Sequence, residues 1–254
     1  MQDGAVVAQL AGTRAVVELA HARQRTEGVV GVWWRDGAAI AICAHSCGLT
    51  ALPEAIGALD QLVRLEVGAN QLTELPPLPA TLRELYIHDN RIARLPALPR
   101  LTVLDANRNR IAQLPALAGI DFVYLAGNRL TALPEIRGVR YLNVCDNPLG
   151  QLVLADPEIQ ELRAEHAELQ GLSIEPLVGL RELSLRGNQL AALPASLGDH
   201  PALRTLDLRS NQLDALPESL RALPLAKLDL RWNPLRDRPP WLGELAQRGC
   251  LVYT

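Results

Sequence analysis

The side chains best suited to nucleophilic or proton-transfer chemistry are four cysteines, Cys43, Cys47, Cys145 and Cys250, and five histidines, His21, His45, His88, His166 and His200. A thiol activated by an imidazole needs the two groups within hydrogen-bond reach, with a third group to orient the base. Cys43 and His45 stand two residues apart, on one face if the segment is a strand, yet no third group is evident beside them. The cysteines follow neither C-x2-C nor His-pair spacing, and the chain has no phosphate loop or dinucleotide fingerprint. Carboxylates are numerous but evenly spread, as on a solvated surface. These patterns point to reduced thiols, no metal, no cofactor and no enzymatic activity.

Bulk properties narrow the class further. The 254 residues carry a net charge of -3 and are 48% hydrophobic, so the chain is globular and offers no basic face to nucleic acid or an anionic membrane. Lys227 is the only lysine against a background of arginine, the mark of a GC-rich genome. The N-terminus "MQDGAVVAQLAG" lacks the charged and apolar regions of a secretory signal, and no apolar run is long enough to span a bilayer. The expected location is cytoplasmic, or secreted without a classical signal peptide.

What positions these side chains is a repeat. The stretch "LRELYIHDNRIARLP" follows L-x-x-L-x-L-x-x-N-x-L-x-x-L-P. The same frame returns in "LVRLEVGANQLTELP", "LTVLDANRNRIAQLP", "IDFVYLAGNRLTALP", "VRYLNVCDNPLGQL", "LRELSLRGNQLAALP", "LRTLDLRSNQLDALP" and "LAKLDLRWNPLRDRP", and more weakly in "AIAICAHSCGLTALP" and "IQELRAEHAELQGL". The asparagine position falls at 47, 70, 90, 109, 128, 147, 167, 188, 211 and 233, in steps of 19 to 23 residues. Ten copies predict a leucine-rich repeat solenoid of the α/β class: a curved parallel sheet on the concave face, with extended or short helical segments on the convex face. The leucines point inward, and each asparagine serves backbone groups of the turn it ends. Cys47 is a weak substitute at that position and Ala167 none, which predicts a looser turn around residues 159–172.

Turns of 19–20 residues leave no room for a helix, whereas the longer steps permit a helical turn or two in "PEAIGALD", "PASLGDHP" and "PESLRAL", each starting with proline at the expected first helical position. Exposed solenoid ends need caps. Residues 5–25 carry Val6, Val7, Leu10, Val16, Val17 and Leu19 at roughly helical spacing, with Gly12 as an interruption, and "RDG" joins "VVGVWW" to "AAIAIC" as a hairpin. At the other end Pro239, Pro240 and Trp241 lead a short helix, and "CLVYT" can close the sheet. The expected organisation is one domain over 1–254: an N-terminal cap at 1–38, ten repeats over 39–240 and a C-terminal cap at 241–254.

Frame positions 3, 5, 7 and 8 face outward, in columns roughly 5 Å apart from strand to strand. Of nine Phe, Tyr and Trp residues, five fall there: Tyr86, Phe122, Tyr124, Tyr141 and Trp232. Rings not needed for a leucine core suit a binding surface, although sheet surfaces also favour aromatic pairs for packing alone. The partner-binding set expected from this pattern is Tyr86, His88, Asp105, Arg108, Phe122, Tyr124, Tyr141, Asn143 and Asp146. A secondary set is Arg186, Arg209, Arg231 and Trp232, where alternation of Arg with Asp207 and Asp229 also fits a solvated ion-pair ladder. On this frame Cys145 and His88 lie three repeats and roughly 15 Å apart, too far to pair. His21 and His200 fall in cap or convex segments, as surface residues, and His166 at an outward position.

The central copies, "LPPLPATLRELYIHDNRIARLPALPRLTVLDANRNRIAQLPAL", resemble the repeats of type III effectors of the IpaH and YopM kind in their short steps and L-P-x-L-P punctuation, over residues 62–153. In IpaH-like proteins such a domain recruits a target for a separate ubiquitin-ligase domain; this chain stops one cap after its last repeat, so no ligase domain is expected. The longer end repeats resemble the general L-P-x-x-I/L class of scaffold proteins, including regulators of small GTPases. The resemblance implies a non-enzymatic module that binds a protein partner on its concave face, as a bacterial effector or its recognition domain. The alternative is a structural or assembly scaffold, or an intracellular regulatory subunit of the small-GTPase or toxin/immunity type. No nucleic acid and no membrane insertion are expected, and a monomer is favoured.

Overall fold

The computed structural model of the protein describes residues 2–96, 98, 100–174 and 177–254. Met1 of the expected cap, Ala97 and Pro99 of a segment expected to run extended, and Glu175 and Pro176 lie outside the described residues. The chain divides into two compact units, residues 1–115 with 119–128, and residues 116–118 with 129–254.

In the first unit the strands Ala38–Cys43, Arg64–Glu66, Glu84–Tyr86, Val103–Asp105 and Phe122–Tyr124 pair in parallel in that order, with Leu65 opposite Leu85, Leu85 opposite Leu104 and Leu104 opposite Val123. These apolar residues are fully buried, one per strand, between outward-facing neighbours. The period of two within a strand and the 19–23-residue period between strands together generate the core. The second unit repeats the arrangement through Tyr141–Asn143, Glu161–Arg163, Glu182–Ser184, Thr205–Asp207, Lys227–Asp229 and Leu251–Tyr253.

The asparagines tie each turn to the one before it. Asn90 Oδ1 accepts from Leu72 N at 2.9 Å, while its Nδ2 donates to the carbonyls of Val67 and Ile87, both at 3.0 Å. Asn70, Asn109, Asn188 and Asn211 make the same set. The residue just before each asparagine position adopts a left-handed backbone: Ser46, Ala69, Asp89, Arg108, Asp146, His166, Ser210 and Trp232 all have φ between 49° and 60°, and glycine stands there at 127 and 187. The two weak copies are repaired differently. Cys47 Sγ lies 3.5 Å from the His45 carbonyl, in the place of one asparagine donor bond. Ala167 does not loosen its turn: its carbonyl accepts from Leu149 N at 3.1 Å, and Glu168 takes a second left-handed conformation at φ 55°.

The three longer steps carry the short 3-10 helices Glu54–Ala58, Ala195–Asp199 and Glu218–Ala222, each with its proline one position earlier than expected, as the extended cap residue and not the first helical one. The short steps in the second unit instead pair Leu117–Ala118 with Ile136–Arg137, and the next turns pair Gln151–Leu154 with Gly171–Ile174. The N-terminal cap is interrupted at Gly12 as the sequence suggested, but the helical spacing read beyond it does not continue as helix. Helix Gln2–Ala11 stops at Gly12, whose φ of 58° needs no Cβ, and Val16–Glu18 then form a strand beside Val30–Arg35. The β-branched pair Val16–Val17 suits an edge strand better than a second helical turn. The hairpin Val30–Arg35/Ala38–Cys43 forms as expected, turning at Asp36 and Gly37 with φ of 51° and 80°. At the C-terminus Trp241–Gln247 is a helix, and Leu251–Tyr253 adds the last parallel strand.

Candidate binding surface

Outward side chains of the first unit line a cleft of about 500 Å³ that includes Arg23, Arg64, Tyr86, Asp105, Phe122 and Tyr124. Four of these belong to the expected binding set. Phe122 is 43% exposed, an unusual position for a phenylalanine in a chain whose core is made of leucine. Tyr86 is held rigidly: the Arg64 guanidinium lies 4.1 Å from its ring centroid, and its hydroxyl donates to Glu84 Oε2 at 3.2 Å. Arg64 is itself buried and also binds Glu66 at 2.7 Å, so a ladder of alternating charges forms one wall of the cleft. Burial opposes ionisation of Glu84, but hydrogen bonds from Arg64 and Arg23 outweigh it and hold the carboxyl below its usual range. Asp105 lies at the floor, where burial raises its carboxyl despite a bond from Asn107 N at 3.2 Å.

His88 and Arg108 do not reach this cleft as free contacts. His88 is only 15% exposed in its side chain and bonds Asp89, which Arg108, 71% exposed, engages from solvent. The cluster that sequence reasoning missed lies here: candidate ligand atoms of His45, Glu66 and His88 all fall within 4.8 Å of one another. The signal was available in the seventh frame position, where His45 and His88 flank Gly68.

In the second unit Tyr141 is half-buried, Asn143 Oδ1 accepts from Cys145 N at 3.1 Å, and Asp146 lies 3.6 Å from His166. The Cys145 thiol accepts from Glu165 N, and burial pushes its pKa up to about 11. The arginine column is an ion-pair ladder: Arg209 Nε bonds Asp207 at 2.9 Å and lies 3.5 Å from Asp229, and Arg231 Nε bonds Asp229 at 2.9 Å. Arg231 also lies against the rings of Trp232 and Tyr253, and Trp232 is 65% exposed. Arg186 is half-buried at the same frame position. Ser184, Arg186, Asp207 and Arg209 line a polar recess of about 340 Å³.

Among the remaining groups, Cys43, Cys47, Cys145 and Cys250 are all free thiols. Cys43 bonds Thr26 rather than His45. His21 and His166 are exposed as expected, but His200 is not: it is fully buried after a 3-10 helix, with Nδ1 3.1 Å from the Leu197 carbonyl. No helix among the described residues is long and apolar enough to cross a membrane.

The family model for "Leucine rich repeat" matches residues 178–235, and that for "Leucine Rich repeats (2 copies)" matches residues 81–119. The chain is a leucine-rich repeat solenoid. YopM from Yersinia enterocolitica WA-314 resembles it at 34% identity and a TM-score of 0.65, over 76% of this chain and 43% of that one. The leucine-rich effector YopM from Yersinia pestis resembles it at 27% identity and a TM-score of 0.54, over 73% of this chain and 58% of that one. The solenoid thus spans about half the length of these relatives. The LRIM1/APL1C complex includes a chain with the same fold at 23% identity and a TM-score of 0.63, over 73% of this solenoid and 42% of that chain. No curated protein sequence matches the solenoid.

Proposed function

We propose that this solenoid is a non-enzymatic module that binds a protein partner on the outward face of its strands, in the manner of an effector or its recognition domain. The observation that carries this reading is Phe122, 43% exposed at the edge of a cleft walled by Tyr86, Arg64 and Asp105. An exposed ring beside charges already locked in place is a preformed anchor site, which loses little side-chain entropy on docking. Tyr124 and the solvent-facing Arg108 extend the surface in the first unit, whereas the largely buried His88 does not. In the second unit, taken by itself, Tyr141, Asn143 and Asp146 form a separate candidate contact surface. Arg186, Arg209, Arg231 and Trp232 form a further zone in which Trp232 is the strongest anchor, because Arg209 and Arg231 are already paired with aspartates.

The protein acts as a monomer, in the cytoplasm or after export without a classical signal peptide. The test is affinity capture from bacterial and host lysates, read by mass spectrometry, with wild-type protein against Phe122→Ala/Tyr124→Ala. A partner held by the wild type and lost by the double variant supports the proposal. A partner retained equally by both refutes that surface.

A further inference from the structure

We propose that His45, Glu66 and His88 form a binding site for a divalent first-row transition metal ion, with zinc the best fit. The inference is independent of the protein-binding reading. Among the described residues this is the one group of three potential ligand side chains whose donor atoms come within 4.8 Å of one another. Two imidazoles and one carboxylate are a donor set that zinc takes readily, with a fourth position left for water.

The sequence builds the cluster by a gap. His45 and His88 occupy the same frame position two repeats apart, and the residue between them in that column is Gly68. Strands spaced ~4.8 Å apart would leave an ordinary side chain between the two imidazoles. Glycine leaves that space open, and the His88 ring fills it: a Cβ on Gly68 would sit 2.6 Å from His88 Nε2. The His45 and His88 rings therefore approach to 5.5 Å between centroids, tilted at 44°. Glu66 is the last residue of the strand that leads into Gly68 and is fully buried. Tetrahedral zinc ligands lie about 3.3–3.5 Å apart, so side-chain rotations drawing the donors in by roughly 1–1.5 Å close the site.

The surroundings prepare the donors. His88 Nδ1 lies 2.9 Å from Asp89 Oδ2, and Arg108 engages the same aspartate. A carboxylate held ionised by an arginine accepts only, so the proton resides on His88 Nδ1 and the lone pair on Nε2, the nitrogen turned toward Gly68. That carboxylate–imidazole pairing is the usual outer support of a metal-bound histidine. His45 Nδ1 is buried without a hydrogen-bond partner, and a bond to a metal satisfies such an atom. Glu66 Oε2 accepts from Arg64, while Oε1 faces Arg25 Nε at 2.9 Å but outside hydrogen-bond geometry. Arg25 is 61% exposed in its side chain and can swing into solvent when a cation enters.

The test uses the full chain, stripped with chelator and titrated with Zn²⁺ alone by calorimetry, then with Co²⁺ by absorption. The expected result is one Zn²⁺ per chain and a Co²⁺ spectrum without a thiolate charge-transfer band. His88→Gln and Gly68→Ala should each weaken binding at least tenfold, with His166→Gln unchanged. The backbone of Gly68 accepts alanine, since its φ is not left-handed, so Gly68→Ala acts by displacing the His88 ring. Thermal melts without metal confirm that the variants fold. Absence of saturable binding, a thiolate band that places the ion on cysteine, or unchanged affinity in both His88→Gln and Gly68→Ala overturns the assignment.

Discussion

The Arg64 guanidinium lies over the Tyr86 ring, 4.1 Å from its centroid, and joins two repeats through one buried cation. Glu66 and Glu84 both depend on it. Arg64→Leu leaves the fully buried Glu66 with, among the described residues, Arg25 as its remaining ion-pair partner, so we expect a loss of about 3–5 kcal/mol in urea denaturation. Glu66→Gln/Arg64→Leu should recover part of that loss, because the uncompensated charge is then gone.

The asparagine ladder predicts a smaller, repeatable cost. Asn109→Ala removes an acceptor for Ile92 N and donors to the carbonyls of Ile87, Ala106 and Asn107. Truncation should cost about 1–3 kcal/mol by denaturant titration, with the slope unchanged.

One position earlier, the left-handed backbone makes a prediction of opposite sign. Ala69 has a φ of 54° and a small side chain. Ala69→Gly should stabilise by up to ~1 kcal/mol, and Ala69→Val should destabilise, since branched residues resist that conformation. Differential scanning calorimetry on the pair reads both signs.

Stability should fall in acid. Glu84 and Asp229 have folded carboxyl pKa values below their unfolded ones: burial opposes ionisation in both, but hydrogen bonds from Arg64 and Arg23, and from Arg231, prevail. Depressed carboxylates stabilise the fold above the unfolded pKa of ~4, and that contribution is lost as pH drops through the folded values. Asp105 runs the other way, because burial raises it. Asp105→Asn should therefore raise the melting temperature at pH 7, with the gain vanishing below pH ~4, where both side chains are neutral.

Cys145, with its thiol pushed up to about 11 by burial, should alkylate slowly at pH 7. Rapid modification of Cys145 by iodoacetamide would contradict that environment and reopen the question of a nucleophile.

The repeat frame carried most of the fold into view. Leu85, Leu104 and Leu162 follow from one period, and the prolines before residues 54, 195 and 218 marked the short helices because they lie where the steps lengthen. In the N-terminal cap the break at Gly12 was legible, but Val16 and Val17 keep a helical spacing and their strand beside Val30–Arg35 was not. His200 was misplaced since burial on the outer wall depends on how neighbouring turns stack, which no single turn encodes. The outward aromatics were legible from the alternation within strands. The locking of Tyr86 by Arg64 was not, because it arises between repeats; the column His45, Gly68, His88 was readable from the frame, but the approach of Glu66 to it was not.

The most direct test of the binding reading is the affinity of the captured partner for three proteins: wild type, Phe122→Ala/Tyr124→Ala, and Val153→Ala, which alters an exposed side chain on a strand outside the outward-facing sheet. The reading predicts at least a tenfold weaker Kd for the double variant and no change for Val153→Ala. Equal affinity for wild type and the double variant would contradict it.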